Sequence, residues 1–368
     1  MLTSGCKSTP LCVVIEPVRY ERRDSTMISI VIRIALALGL VFGLNTANAE
    51  RVTPSELLDR YAANLKVIEM HHIKSEEICK HTDSLESDKN RLLRLEYESI
   101  QNGQLRELTR KKSIVKMNNE GSVISSKNSQ IDTVIWDGQE WSEVSEFPSL
   151  PSLTPVAVFA KTDNDKVKYT SSFAYSGAWM DGIFWGDLEP LDSILKKSSN
   201  LNILPDMDKV NDFDCYVLEA VTPHGEYKIW IDPEHGYNIA KAETHKINDD
   251  IYFGGVAYQE FGEMPPGRGY RGKRPGRRDA VHFYVDNVRF GEVNGVWLPM
   301  EATFRNISDY DDRKSSDNRH HKRTYVDLKT DFEAIDAFIP EIPEGSDVFL
   351  DWKPDARYTW KNGKLITK

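Results

Sequence analysis

From residue 67 onward, apolar and polar residues alternate along most of this chain. A period of two is the pattern of a strand with one buried face. It is clearest between Asp212 and Lys246, where residues 215–221, 227–231 and 239–246 read as three consecutive antiparallel strands. His224-Gly225 closes the first turn, and Asp232-Pro233-Glu234-His235-Gly236 closes the second. Glycine supplies the positive φ of a tight hairpin, and proline fixes φ at a strand exit. In the middle strand Tyr227, Ile229 and Ile231 share one face, and Lys228 and Trp230 the other. Similar runs predict strands at 69–79, 92–101, 105–117, 122–126, 132–136, 140–144, 251–261, 281–290, 296–307 and 323–332. Asn102-Gly103, Asp137-Gly138, Asn294-Gly295 and Asn362-Gly363 are further hairpin signals, the last pairing 358–360 with 364–367.

Helical spacing appears in two places. Thr53-Pro54-Ser55-Glu56 has the form of a capping box with proline at N1. Leu57, Leu58, Tyr61, Leu65 and Ile68 then form one apolar stripe. A shorter helix is predicted at 190–197, with Leu191, Ile194 and Leu195 on one side. No alternation of strands with helices appears, so the fold class is mainly β (α+β) with an antiparallel sheet.

Four stretches depart from the alternation. Residues 28–44 are apolar apart from Ser29 and Arg33, and Ala47-x-Ala49 follows. The uninterrupted apolar core, 34–44, is far short of the roughly 20 residues a membrane-spanning helix needs. This is the form of a signal peptide, read as 27–49 with cleavage after Ala49 and a start at Met27. Residues 148–200 hold a Pro/Ser/Leu linker and a cluster in which Phe173, Tyr175, Trp179, Phe184 and Trp185 are spaced by Gly177, Gly182 and Gly186. Such a segment is either the plug of a core or a movable cover over an apolar face. Residues 264–279 carry Arg268, Arg271, Lys273, Arg274, Arg277 and Arg278 among glycines and prolines, and read as a mobile loop for an anionic surface or an envelope protein. Residues 309–323 read as a second charged, mobile excursion.

The net charge of −10 argues against nucleic acid as a partner. Removal of the leader leaves Cys79 and Cys215, and an oxidising compartment allows a disulfide between them. Both also suit small buried positions in strands. His71-His72 and His320-His321 are adjacent pairs, which a strand points to opposite faces, so no metal site and no cofactor is expected. Nucleophile-elbow, phosphate-loop and His-Glu-x-x-His patterns are absent from the sequence. The acidic pairs Asp249-Asp250 and Asp311-Asp312 sit beside turns.

A capped helix after a leader, then a long meander, resembles the periplasmic lipoprotein-carrier superfamily of LolA, LolB and RseB-like proteins. The likeness is sharpest in Phe213-Asp214-Cys215-Tyr216-Val217-Leu218 followed by Tyr227-Lys228-Ile229-Trp230-Ile231-Asp232-Pro233. It implies an incomplete, curved β-barrel with helices over a concave face that shelters acyl chains. The domain plan is then a leader (1–49), one half-barrel (50–349) with insertions at 148–200, 264–279 and 309–323, and a C-terminal hairpin extension (350–368). The expected function is non-catalytic binding of a lipid or lipoprotein acyl chain in the envelope, as a carrier or sensor. Leu58, Tyr61, Leu65 and the five aromatics at 173–185 would be lining or cover. Two alternatives stay open: a glycan- or protein-binding module, in which Trp136, Trp141, Trp352 or Trp360 stack on sugars, and a hydrolase whose carboxylates assemble only in space.

Overall fold

The computed structural model describes residues 52–84, 91–117, 123–161, 178–184, 187, 189–251 and 278–368. Helix α1 (Pro54–Lys66) comes first, followed by β1 (Met70–Asp83), β2 (Arg91–Asn102), β3 (Leu105–Met117), β4 (Val123–Trp136), β5 (Glu140–Glu146) and β6 (Val156–Lys161). A 3-10 turn (Ala178–Asp181) and helix α2 (Leu191–Lys196) interrupt the strands. Then come β7 (Asn200–Ile203), β8 (Asp208–Val210), β9 (Phe213–Thr222), β10 (Gly225–Asp232), β11 (Asn238–Ile247), β12 (Arg278–Val293), β13 (Val296–Tyr310) and β14 (Lys314–Asp327). The chain ends with β15 (Asp347–Leu350), β16 (Tyr358–Lys361) and β17 (Lys364–Thr367).

Consecutive strands pair antiparallel from β1 through β6 and again from β9 through β14. The long-range pair β1–β14 splices the two runs, in register from His72↔Asp327 to Asp83↔Ser315. Strands β7 and β8 both lie on the outer side of β9, and β6 continues through β15 and β16 to β17. The result is an open, curved sheet that does not close into a barrel. Every pair among the described residues is antiparallel except β6–β15, where Asp347↔Val156 to Leu350↔Phe159 run parallel. That pair corrects the expectation of a purely antiparallel sheet. The chain returns from β14 by the long segment 328–346, and so it can enter β15 in the same direction as β6.

The turns follow the sequence signals. Asn294 (φ 53°) and Gly295 (φ 81°), and Asn362 (φ 49°) and Gly363 (φ 72°), occupy the left-handed region that a two-residue hairpin needs. Residues 309–323 are not a mobile excursion. A turn at 311–313 leads straight into β14, which is paired on both sides. Its charged residues can enter a central strand because their inward members find counter-charges, as described below. The basic residues Arg268, Arg271, Lys273, Arg274 and Arg277, and the side chain of Arg278, lie outside the described residues, as does most of the expected strand 251–261.

One face of the sheet is covered by α1, the 3-10 turn and α2; we call it the inner face. Leu218, Ile229, Ala242, Val285 and Phe304 run across it in register, all but fully buried. At about 25 cal/mol per Å² of apolar area, such rows supply most of the folding free energy. The opposite face carries a second cluster of Cys215, Val217, Trp230 and Ala240. A third cluster, Val144, Ala157, Val348 and Leu350, is flanked by Trp352 and Trp360 and ties the C-terminal hairpin to β5 and β6.

Candidate functional site

The inner face is not aliphatic throughout. The row that ends in Phe304 continues into Arg319 and Cys79. Glu77, fully buried, accepts from Arg319 (3.0 Å) and lies 3.3 Å from His321 Nδ1. Arg319 also donates to Asp317 (2.9 Å), which lies 2.7 Å from His81 Nδ1. Burial alone would lower the proton affinity of Arg319, but the charges of Glu77 and Asp317 more than offset it and hold it above its ordinary value. Burial likewise works to raise the Asp317 carboxyl, yet Arg319 and His81 bring it below the usual carboxylate range. This ion cluster stands between two apolar parts of the inner face, the cluster of Cys79, Leu95, Tyr97 and Leu108 on one side and the part under the helices on the other.

Helix α1 covers that part. Thr53 and Glu56 form the reciprocal capping box, with Thr53 N–H donating to Glu56 (2.8 Å) and Glu56 N–H to the Thr53 hydroxyl (3.2 Å). Leu57, Leu58 and Tyr61 are buried beneath it, while Leu65 is only half-buried. Asn64 donates to Asn238 (2.9 Å), and Arg60 bonds the Tyr237 hydroxyl, so the helix is tied to the β10–β11 turn. Lys196 of α2 pairs with Asp59 at 2.9 Å.

The segment 178–184 fills the space between α1 and the sheet. Trp179 and Phe184 are buried, and Phe184 meets the Tyr227 ring edge-on. Gly182 has φ +83° and approaches Leu65 so closely that a Cβ would lie 2.3 Å from Leu65 Cδ1. Asp187 pins the segment to the sheet. It accepts from Tyr227 (2.8 Å) and Lys246 (2.6 Å) and lies 3.1 Å from His224 Nδ1, with no exposure of its own side chain. Burial, and then the Asp187 charge, push the Tyr227 hydroxyl well above its ordinary pKa. Sequence reasoning missed Asp187. A signal was present: Ala242, Thr244 and Lys246 share the inner face of β11, and an inward lysine requires a buried counter-charge.

Beside these packed groups a cleft of about 380 Å³ opens between the last turn of α1, the start of β1, the β2–β3 hairpin and the 183–192 segment. Ala62, Leu65, Ile68, Ile183 and Pro190 give it apolar walls, and Lys66, Glu69, Arg106 and Asp192 stand among its polar groups. Of the residues expected to line a ligand site, Leu65 is in this cleft. Leu58, Tyr61, Trp179 and Phe184 lie in the packed interior, and Phe173, Tyr175 and Trp185 fall outside the described residues. Ile183 and Pro190 were missed, because nothing in their local pattern separates a cleft wall from a core residue.

Cys79 and Cys215 are both free and buried, so of the two readings left open they take that of small buried residues. Cys79 packs with Leu95, Tyr97 and Leu108, whereas Cys215 packs with Val217 and Trp230 in a separate cluster. Burial pushes each thiol up to about 12. The histidine pairs do point to opposite faces: His71 lies 2.6 Å from the Ile68 carbonyl and His72 2.7 Å from Glu98. Among the described residues no group of three or more His, Cys, Asp or Glu side chains is placed to hold a metal ion. The Trp136 and Trp141 rings meet at a tilt of 32°, centroids 4.8 Å apart, across the β4–β5 hairpin.

No protein-family model and no curated protein matches the chain. Among solved structures it is similar to a DUF1329 family protein from Desulfovibrio piger, at 11% identity over 77% of this chain and 98% of that one, with a TM-score of 0.39. It is also similar to a chain in the MucA/MucB complex of Pseudomonas aeruginosa, at 11% identity over 73% of this chain and 93% of that one, with a TM-score of 0.18. Both likenesses are slight.

Proposed function

We propose that this chain is an exported, non-catalytic binding protein of the cell envelope whose inner cleft shelters the apolar part of a lipid or acyl-type ligand. The observation that carries the reading is the cleft itself, with aliphatic walls and charged groups, at the border between helix cover and sheet. That arrangement suits a molecule with an apolar tail and a polar end. The buried ion cluster around Glu77 and Arg319 blocks a tail from running along the rest of the inner face, so the ligand enters beside α1. Phe173, Tyr175 and Trp185 are proposed as further cover, with Trp179 and Phe184 as its packed root. Export rests on the short apolar run and the Ala47-x-Ala49 pattern. N-terminal sequencing of the chain recovered from the envelope should begin at Glu50.

The binding test is uptake of a dansylated undecanoic acid, followed by its fluorescence. Burial of about seven methylenes at ~0.8 kcal/mol each corresponds to a Kd near 0.1 mM or tighter. Ala62→Trp, which fills the cleft, should abolish the signal. Ala63→Trp, on the exposed side of the same helix turn, should leave it intact. Absence of uptake by the unaltered protein, or equal uptake by both variants, refutes the reading.

A further inference from the structure

The face of β9–β12 opposite α1 carries a second recess, of about 450 Å³, bounded by β7 at one end and β12 at the other. We propose that this recess binds an amine-bearing sugar unit, with Glu226 taking the amine and the edges of His245, His282 and Tyr284 meeting hydroxyl groups.

The lining decides the ligand class. Asn200 and Asn202 stand at the β7 end and the three rings at the other, with Glu226 beside His245, and Val221 is the largest aliphatic side chain in the lining. Affinity there comes from hydrogen bonds, so the ligand must be dense in hydroxyls or amines. The volume lies within the roughly 300–1,000 Å³ of small-molecule sites, too small for a folded partner. Charge narrows the class further. Glu219 is paired with Lys228 at 2.7 Å, and Glu243 with Lys241 at 2.7 Å. Glu226 instead has His245 Nδ1 at 3.6 Å and remains largely exposed. Burial, and then the neighbouring His245, lower the proton affinity of His282. Among the described residues Glu226 is thus the lining carboxylate without a lysine or arginine partner, and it selects a single cationic group.

The rings of the site also pack on one another. His245 and His282 face each other across β11–β12 with centroids 4.5 Å apart and planes 10° apart. Tyr284 continues the stack at 13° to His282, and Arg305 caps its ring at 4.4 Å. Stacked rings lose little freedom on binding, which lowers the entropic cost of recognition.

The test is calorimetric titration of the purified protein with four probes: the glucosamine tetramer, its fully N-acetylated form, a neutral glucose tetramer and spermidine. The glucosamine tetramer should bind at least tenfold more tightly than each of the other three. Glu226→Gln should weaken it at least tenfold, whereas Glu333→Gln, an equal charge change at an exposed remote site, should not. His282→Ala should weaken it as well. No binding, equal binding of spermidine, equal binding of the acetylated or neutral tetramer, or an unaffected Glu226→Gln overturns the proposal. None of these outcomes bears on the acyl cleft, which lies on the other face.

Discussion

Gly182→Ala tests whether the 178–184 segment is packed against α1 as firmly as its geometry implies. Two costs add. At φ +83° an L-residue sits in the left-handed region, at roughly 1–2 kcal/mol. The new Cβ would lie 2.3 Å from Leu65 Cδ1 and 3.3 Å from the Tyr61 hydroxyl, so Leu65 must move, and overpacking of this kind costs about 1–3 kcal/mol. The sum, about 2–5 kcal/mol, is a large share of the ~5–15 kcal/mol that holds a typical domain folded. Equilibrium urea unfolding followed by tryptophan fluorescence should therefore show a clear drop in midpoint at unchanged slope. Leu65→Ala removes the atom that is struck. The double variant should then recover the steric part and retain the φ part, giving a coupling of about 1–3 kcal/mol in the cycle. An unchanged midpoint for Gly182→Ala would mean that the segment does not rest on the helix in solution. Strict additivity would mean that Leu65 is not what it meets.

Two further outcomes are expected. Glu107, which accepts from the Phe338 N–H at 2.9 Å, has its carboxyl raised above 4.5, first by burial and then by Glu98 and Glu341, against the opposing effect of the Phe338 bond and His72. The native state therefore holds more protons than the unfolded chain between the two values, and this group adds stability as pH falls through that window and withdraws it as pH rises. Glu107→Gln should keep the Phe338 bond, match or exceed the wild-type melting temperature at pH 7 and lose that rise on acidification; a variant whose pH profile parallels the wild type contradicts the assignment. Cys79 and Cys215, buried and with thiols near 12, should resist a thiol reagent in the native protein and react together on unfolding, while a faster-migrating non-reduced band would indicate a disulfide.

Local chemistry settled much of this protein before any packing was known. Asn-Gly and Asp-Gly steps placed the hairpins, because φ > 0 is a property of single residues. Thr53-Pro54-Ser55-Glu56 placed the start of α1, because a capping box spans four positions. The alternation in β10 put Tyr227 and Lys228 on opposite faces, because period two is built into an extended backbone. Relations between distant strands decided the rest. The β1–β14 splice joins residues more than 200 positions apart, and through it Arg319 of an apparently mobile charged stretch becomes the buried partner of Glu77. The same splice sets Cys79 in its own cluster, apart from Cys215, and thereby removes the disulfide that compartment alone allowed. Asp187 and Lys246 are 59 residues apart, and neither pattern names the other. Both recesses are likewise products of tertiary placement, since a cleft is the space between elements, and periodicity describes only the face that each element presents.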